Sequence, residues 1–230
     1  MKQVSYTKRY EELYQKGYQI NKYPYDLVVS NVLKNFPKED PTYRYKALDL
    51  GCGVGNHVKF LAMEGFDVWG VDSSPTALKI AKNMLDEANL TAQLIEDNLL
   101  NIDNYPNKYD LILDRQSLSN LTCKDIQIVI DKAITMLNPG GKFISFMFNK
   151  EHPGFSELKY AKEIEKDTWS FESEYKSSCF SNINQITLID LDTYKSFFHR
   201  LEPLSIINNS QKCIVSKEGI SEYVGVFRKP

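Results

Sequence analysis

The stretch Asp49-Leu50-Gly51-Cys52-Gly53-Val54-Gly55-Asn56 sets a carboxylate just ahead of three alternating glycines. Glycines let a backbone take positive φ and approach a ligand closely. A helix starting beyond them offers free N–H groups to a bound group. The spacing is Gly-x-Gly-x-Gly, not the Gly-x-Gly-x-x-Gly of dinucleotide sites. Asp49 would repel a pyrophosphate and attract a cation. The turn therefore suits a small ligand that carries positive charge and no phosphate, with Gly51, Cys52, Gly53 and Asn56 around it. Cys52 reads as a small packing residue there, since no histidine is placed to make it a nucleophile.

Three further acids fall at strand ends. Asp72, followed by Ser73, is placed to accept hydrogen bonds from both hydroxyls of a ribose; its other role would be to anchor the helix that Ser74 caps. Asp97 of Glu96-Asp97-Asn98 is placed to accept from an adenine amino group, with Asn98 and Leu99 beside it, or to stand as a solvated loop acid. Asp114 has three roles open to it: meeting the ligand or substrate, facing the reacting centre as a base, or capping the next loop. Arg115 suits a bidentate hold on a carboxylate or phosphate, or an ion pair with a nearby acid. His152 is a candidate general base near neutral pH, against a plain surface role. Tyr14 and Tyr25 are candidates to wall the substrate or roof the ligand.

The elements that must position these residues alternate regularly. Strands are expected at 46–50, 67–71, 92–95, 109–113 and 142–148. Helices are expected at 57–64, from Ser74-Pro75 to about 88, and after a Thr122/Asp125 capping box. Repeated strand-then-helix units of this length imply a parallel sheet with helices on both faces. Ahead of it, Tyr6, Tyr10, Leu13 and Tyr14 recur at helical spacing, and a second helix runs from Asp26 to Asn35 until Phe36-Pro37 stops it. Asn138-Pro139-Gly140-Gly141 reads as a strong stop. Beyond 150 a helix is expected near 157–164, extended pieces at 170–180 and 185–189, a helix capped by Asp190, and strands near 204–208 and 221–228. The division expected is one domain: a helical cap over 1–44, a ligand-binding core over 45–150, and a substrate-side insertion with the closing strands over 151–230.

Leu48 to Gly55, followed by Gly70-Val71-Asp72-Ser73-Ser74, resembles the class I methyltransferases. Tyr109 to Asp114 and Leu137-Asn138-Pro139-Gly140-Gly141-Lys142 resemble later landmarks of the same family. The resemblance covers about residues 45–150. It implies an α/β fold, a Rossmann-like doubly wound sheet of seven strands, mostly parallel with an antiparallel last strand. It implies S-adenosyl-L-methionine as cofactor and S-adenosyl-L-homocysteine as product. That molecule carries an ammonium and a sulfonium and no phosphate, as the turn requires. By the same resemblance Gly51 and Gly53 lie against its methionine part, Asp72 on the ribose and Asp97 near adenine. Tyr23-Pro24-Tyr25-Asp26 with Asp114-Arg115 resembles a bacterial small-molecule subgroup found with surface-polysaccharide genes. This implies methylation of an oxygen or nitrogen atom, on an anionic sugar or phosphorylated precursor.

The 230 residues are 42% hydrophobic and 25% charged with a net charge of −2, so no broad basic field invites a nucleic acid. Cys52, Cys123, Cys179 and Cys213 match no zinc spacing, and no metal is expected; a variant using Asp114 and Asn149 as ligands has too few carboxylates. No apolar run approaches a membrane span. The expectation is a cytoplasmic protein, monomer or homodimer, with a small-molecule acceptor and no nucleic-acid or membrane partner. A non-catalytic cofactor-binding scaffold, a nucleic-acid methyltransferase and an NAD enzyme are the rival readings. The N-terminal helices and 151–180 are expected to form a lid over the acceptor.

Overall fold

The computed structural model describes residues 6–38, 40, 42–105, 108–171, 180, 183–216 and 218–230. Five strands come first: β1 (Lys46–Leu50), β2 (Asp67–Asp72), β3 (Gln93–Glu96), β4 (Tyr109–Arg115) and β5 (Leu137–Phe148). β9 (Glu202–Lys212) and β10 (Gly219–Arg228) complete a seven-stranded sheet in the order β3-β2-β1-β4-β5-β10-β9. The first five are parallel, and β10 runs antiparallel to both β5 and β9. The chain steps outward from β1 to β3, then returns to lay β4 on the other side of β1. That reversal creates the crevice at the carboxyl ends of β1 and β4 where open α/β sheets bind ligands.

Alternation along each strand feeds two apolar layers. Leu48, Leu50, Ile112 and Phe143 pack on one side with Ile126, Val129 and Ile130 of α5 (Cys123–Met136). Ala47, Leu111, Leu113 and Phe146 pack on the other with Val58 and Leu61 of α3 (Asn56–Met63) and Val28 and Val32 of α2 (Asp26–Asn35). Each fully buried Val or Leu contributes about 1.5–3 kcal/mol, well above any helix-propensity difference. Packing thus holds α3 at a length that would be marginal in isolation.

Local signals set the ends. Ser74 Oγ accepts from Ala77 N at the start of α4 (Pro75–Glu87), with proline in the first turn. The Ser74 hydroxyl also donates to Glu11 Oε2, and Thr76 donates to the same carboxylate, so α1 (Tyr6–Gln15) is tied to the N-terminus of α4. Thr122 Oγ1 accepts from Asp125 N at the start of α5, and Asp190 accepts from Thr193 N at the start of α6 (Leu191–Phe197).

Two expectations are corrected. Asn138 to Gly141 does not separate helix from strand: β5 already starts at Leu137. Gly140 takes φ +76°, its N–H donates to Lys229 O, and Lys229 N donates to Gly141 O, so the chain end after β10 holds this stretch extended. The helix expected near 157–164 is instead a 3₁₀ turn (Pro153–Tyr160) followed by β6 (Lys162–Glu165). Among 157–164 only Leu158 is buried, so an apolar helix face has nothing to pack on. β6 pairs with β7 (Thr168–Ser170), which pairs with β8 (Gln185–Thr187). This small sheet has its own core of Leu158, Phe171, Phe180, Ile186 and Leu188. Its stem is closed: Asn149 and Ile189 form a bridge, Lys150 N donates to Ile189 O, and Lys150 Nζ pairs with Asp167 and Asp190. Most of the extended piece expected at 170–180, Cys179 included, lies outside the described residues. No described helix is long and apolar enough to cross a membrane.

Candidate active site

The glycine turn caps the end of β1. Gly51, Gly53 and Gly55 have φ of +66°, +53° and +82°, the left-handed region where a side chain is strained. Space forbids one as well: a Cβ on Gly51 would stand 2.4 Å from Ser117 Cβ, and one on Gly53 would stand 2.8 Å from the Tyr14 hydroxyl. The turn is pinned to β2 twice, by Cys52 N to Val71 O and by Gly53 N to Asp72 Oδ2, both at 2.9 Å. Cys52 is buried against Gly70 and Val58, the packing role expected of it; burial pushes its thiol well above the usual range.

Asp49 lies beneath this turn, 1% exposed, and its Oδ2 has no hydrogen-bond partner. Burial, then the neighbouring Asp114 and Asp72, push its carboxyl well above the ordinary range. A group whose pKa is raised by folding stabilises the fold below its unfolded pKa and loses that contribution as pH rises through the folded value. Asp49→Asn is therefore expected to make the ligand-free protein more stable at pH 8 by about 1–3 kcal/mol, with a smaller gap at pH 5. Thermal melts at the two pH values check this; a variant less stable at pH 8 would contradict the account.

Above the turn lies a cavity of about 500 Å³. Its wall includes Gly51, Cys52, Gly53, Asn56, Asp72, Ser73, Asp97, Asn98 and Leu99. Tyr14, Tyr25, Arg115 and His152 also reach it. Asp49 and Asp114 do not line it. Asp72 anchors α4, its Oδ1 accepting from Ser74 N, and the residue lines the cavity. Burial raises its carboxyl, against the backbone hydrogen bonds that lower it. Asp97 takes Asn98 N and Asn101 Nδ2 on Oδ1 and the Tyr105 hydroxyl on Oδ2; these donors, Asn101 first, hold its carboxyl below the usual range.

Asp114 takes the loop-capping role. It is fully buried and accepts from Ser117 Oγ, Leu118 N and Ser145 Oγ, with burial lifting it to about 6. The expectation that it meets the cofactor or serves as catalytic base is corrected by this placement, because its oxygens are engaged below the wall. His152 reaches the cavity, but its Nδ1 accepts from Gly154 N at 3.1 Å. Burial lowers it to about 4. In the neutral ring the proton then sits on Nε2, which makes that nitrogen a donor and not a base. His57 is likewise committed: Nε2 accepts from Tyr25 N at 3.2 Å, and burial lowers it to about 3.

Residues that the sequence did not flag complete the site. Glu222 on β10 is fully buried. It accepts from the Tyr25 hydroxyl, Gln116 Nε2 and Asn209 Nδ2, and faces Arg115 Nη1 at 3.7 Å. The Arg115 guanidinium stacks 4.2 Å from the Tyr25 ring centroid, and its Nε has no partner. Asn120 joins the two covers of the cavity: its Oδ1 accepts from the Tyr10 hydroxyl of α1, and its carbonyl accepts from Gln185 Nε2 of β8. α1 thus lies against the glycine turn, and the small sheet lies beyond β5. Phe148, His152 and Phe180 form an aromatic nest at the far end, with His152 stacked 5.1 Å from Phe180.

Comparison with known proteins agrees with this geometry. Residues 47–141 match a family model described as a methyltransferase domain. An uncharacterised methyltransferase of Synechocystis sp. is 35% identical over 98 residues, 43% of this chain and 44% of that one. A ubiquinone biosynthesis O-methyltransferase of Photorhabdus laumondii is 27% identical over 106 residues, 46% of this chain and 43% of that one. The matched region therefore spans less than half the length of either relative. Among solved structures, an S-adenosylmethionine-dependent methyltransferase of Methanosarcina mazei superposes with a TM-score of 0.71 at 16% identity, over 90% of this chain and 98% of that one. An N-methyltransferase of Bradyrhizobium japonicum, in complex with S-adenosyl-l-homocysteine, gives 0.64 at 13% identity over 96% and 99%. The chain shares the Rossmann-like fold of these structures, and its residues 47–141 match the methyltransferase-domain model.

Proposed function

We propose that this chain is an S-adenosylmethionine-dependent methyltransferase acting on an oxygen or nitrogen atom of a small-molecule acceptor. The observation that carries the reading is Asp49, a buried carboxylate with an unpartnered oxygen beneath three positive-φ glycines. A phosphate there would add to an uncompensated negative charge, whereas an ammonium or sulfonium offsets it. The remaining acceptors suit the rest of the molecule. Asp72 takes backbone donors from Gly53 and Ser74 and lines the cavity, where its remaining acceptor capacity suits a ribose hydroxyl. Asp97 Oδ2 holds one donor and keeps a site for an adenine amino group. A cavity of about 500 Å³ fits a cofactor with a small acceptor better than a polymer.

Bound there, the cofactor supplies a methyl group on a sulfonium, an electrophile with a neutral leaving group. The chain's task is alignment, which alone can lower the barrier by about 7–11 kcal/mol. The glycine turn fixes one partner and the far wall holds the other. Relatives named as O-methyltransferases and an N-methyltransferase of the same fold support either atom. The narrower reading, an anionic sugar or phosphorylated polysaccharide precursor, is supported by Arg115 alone.

Calorimetric titration with S-adenosylmethionine and, separately, NADH tests the proposal. Micromolar binding of the first and none of the second is expected. Absence of S-adenosylmethionine binding, in a sample free of copurified cofactor, would overturn it.

A further inference from the structure

The acceptor end of the cavity differs in character from the cofactor end. Phe148 meets His152 edge-on at 5.0 Å, His152 stacks on Phe180, and Ile183 and Ile186 continue the same wall. This wall is aromatic and aliphatic, a surface suited to packing against a flat, apolar body. Charge points the same way. Among the described residues lining the cavity, Arg115 is the sole lysine or arginine. It already faces Glu222 at 3.7 Å, while Asp72 and Asp97 stand on the wall. A phosphate dianion at the acceptor end would meet one cation that is already shared with a carboxylate.

The third observation concerns the proton. An alcohol acceptor must be deprotonated by something. Both histidines on the wall spend their ring acceptor on a backbone N–H, His152 on Gly154 and His57 on Tyr25. Asp114 is committed beneath the wall. An acceptor that ionises itself needs no such base.

Resting on the function proposed above, we infer that the acceptor is an aromatic hydroxyl compound, a phenol, seated on the Phe148–His152–Phe180 wall. Its hydroxyl proton passes to water. The oxygen bonds the methyl carbon as the carbon–sulfur bond breaks, and the electron pair stays on sulfur, leaving a neutral thioether. Arg115 lines the cavity and supplies a cation to the phenolate oxygen or a ring substituent.

The test uses methyl-labelled S-adenosylmethionine with catechol and with glucose 1-phosphate as acceptors, on the wild type and on Phe148→Leu and Phe180→Leu. Labelled catechol ether and no sugar product are expected. Each variant should lower kcat/KM for catechol about five- to ten-fold, with S-adenosylhomocysteine affinity unchanged as the check on folding. Turnover of glucose 1-phosphate alone, or no turnover of catechol by a protein that binds S-adenosylmethionine, would overturn this inference and leave the cofactor reading standing. Undiminished catechol turnover in both variants would overturn it as well. Loss of S-adenosylmethionine binding itself would instead strike the proposed function.

Discussion

Replacing Asp72 with alanine is expected to lower S-adenosylmethionine affinity about a hundred-fold or more and to cost about 2–4 kcal/mol of stability. The stability loss comes from two backbone donors. Gly53 N and Ser74 N each lose a carboxylate acceptor at 2.9 Å, one releasing the glycine turn and the other the start of α4. The affinity loss adds the two charge-assisted bonds proposed to the ribose. Asp72→Asn keeps the shape and one good acceptor, so its loss should be nearer ten-fold. Because burial raises the Asp72 carboxyl, wild-type affinity should begin to fall on acidification above the ordinary carboxylate range. Titration calorimetry across pH 4–8 with a urea melt of each variant measures all three. An alanine variant that binds like the wild type would remove Asp72 from the site.

Glu222→Ala is expected to be the most destabilising single change at the site, about 3–5 kcal/mol. The carboxylate is fully buried and serves Tyr25, Gln116, Asn209 and Arg115 together. Removing it leaves the Arg115 guanidinium, only 17% exposed, without its counter-charge. Glu222→Gln retains the volume and part of the hydrogen bonding and should lose about half as much. Urea unfolding with fitted slopes checks the order. A loss below about 1 kcal/mol for alanine would mean that solvent, and not Glu222, balances Arg115.

Why Glu222 escaped the sequence is instructive. Ser221-Glu222-Tyr223 reads as an ordinary polar position in an alternating strand. Its burial depends on β10 inserting between β5 and β9, and on Tyr25 arriving from 197 residues away. By contrast, the glycine turn after β1, Asp72 at the end of β2 and the Ser74 cap of α4 are local features, and the elements around them fall where the sequence placed them. The Asp26–Asn35 helix has the expected limits because proline sets its end and two valines set its face. Asp114 was ambiguous from sequence because a strand-end acid can serve a ligand or a loop. Ser117 and Leu118 decide it, and their position follows from a turn in which Gln116 takes φ +63°. The expected helix near 157–164 failed for want of a partner surface, which no periodicity reveals.

The closed stem at Asn149 and Ile189 has a consequence beyond geometry. The chain leaves the main sheet and rejoins it at one point, and the excursion packs on a core of its own. Where the bonds of Gln185 and Thr187 to Asn120 and Leu121 are kept, lengthening such an excursion costs the slowly growing entropy of loop closure and leaves the registers of the main sheet intact. The portion proposed to contact the acceptor is thus a cartridge. It can be exchanged between homologues, by evolution or by grafting, while the half that grips the cofactor stays as it is.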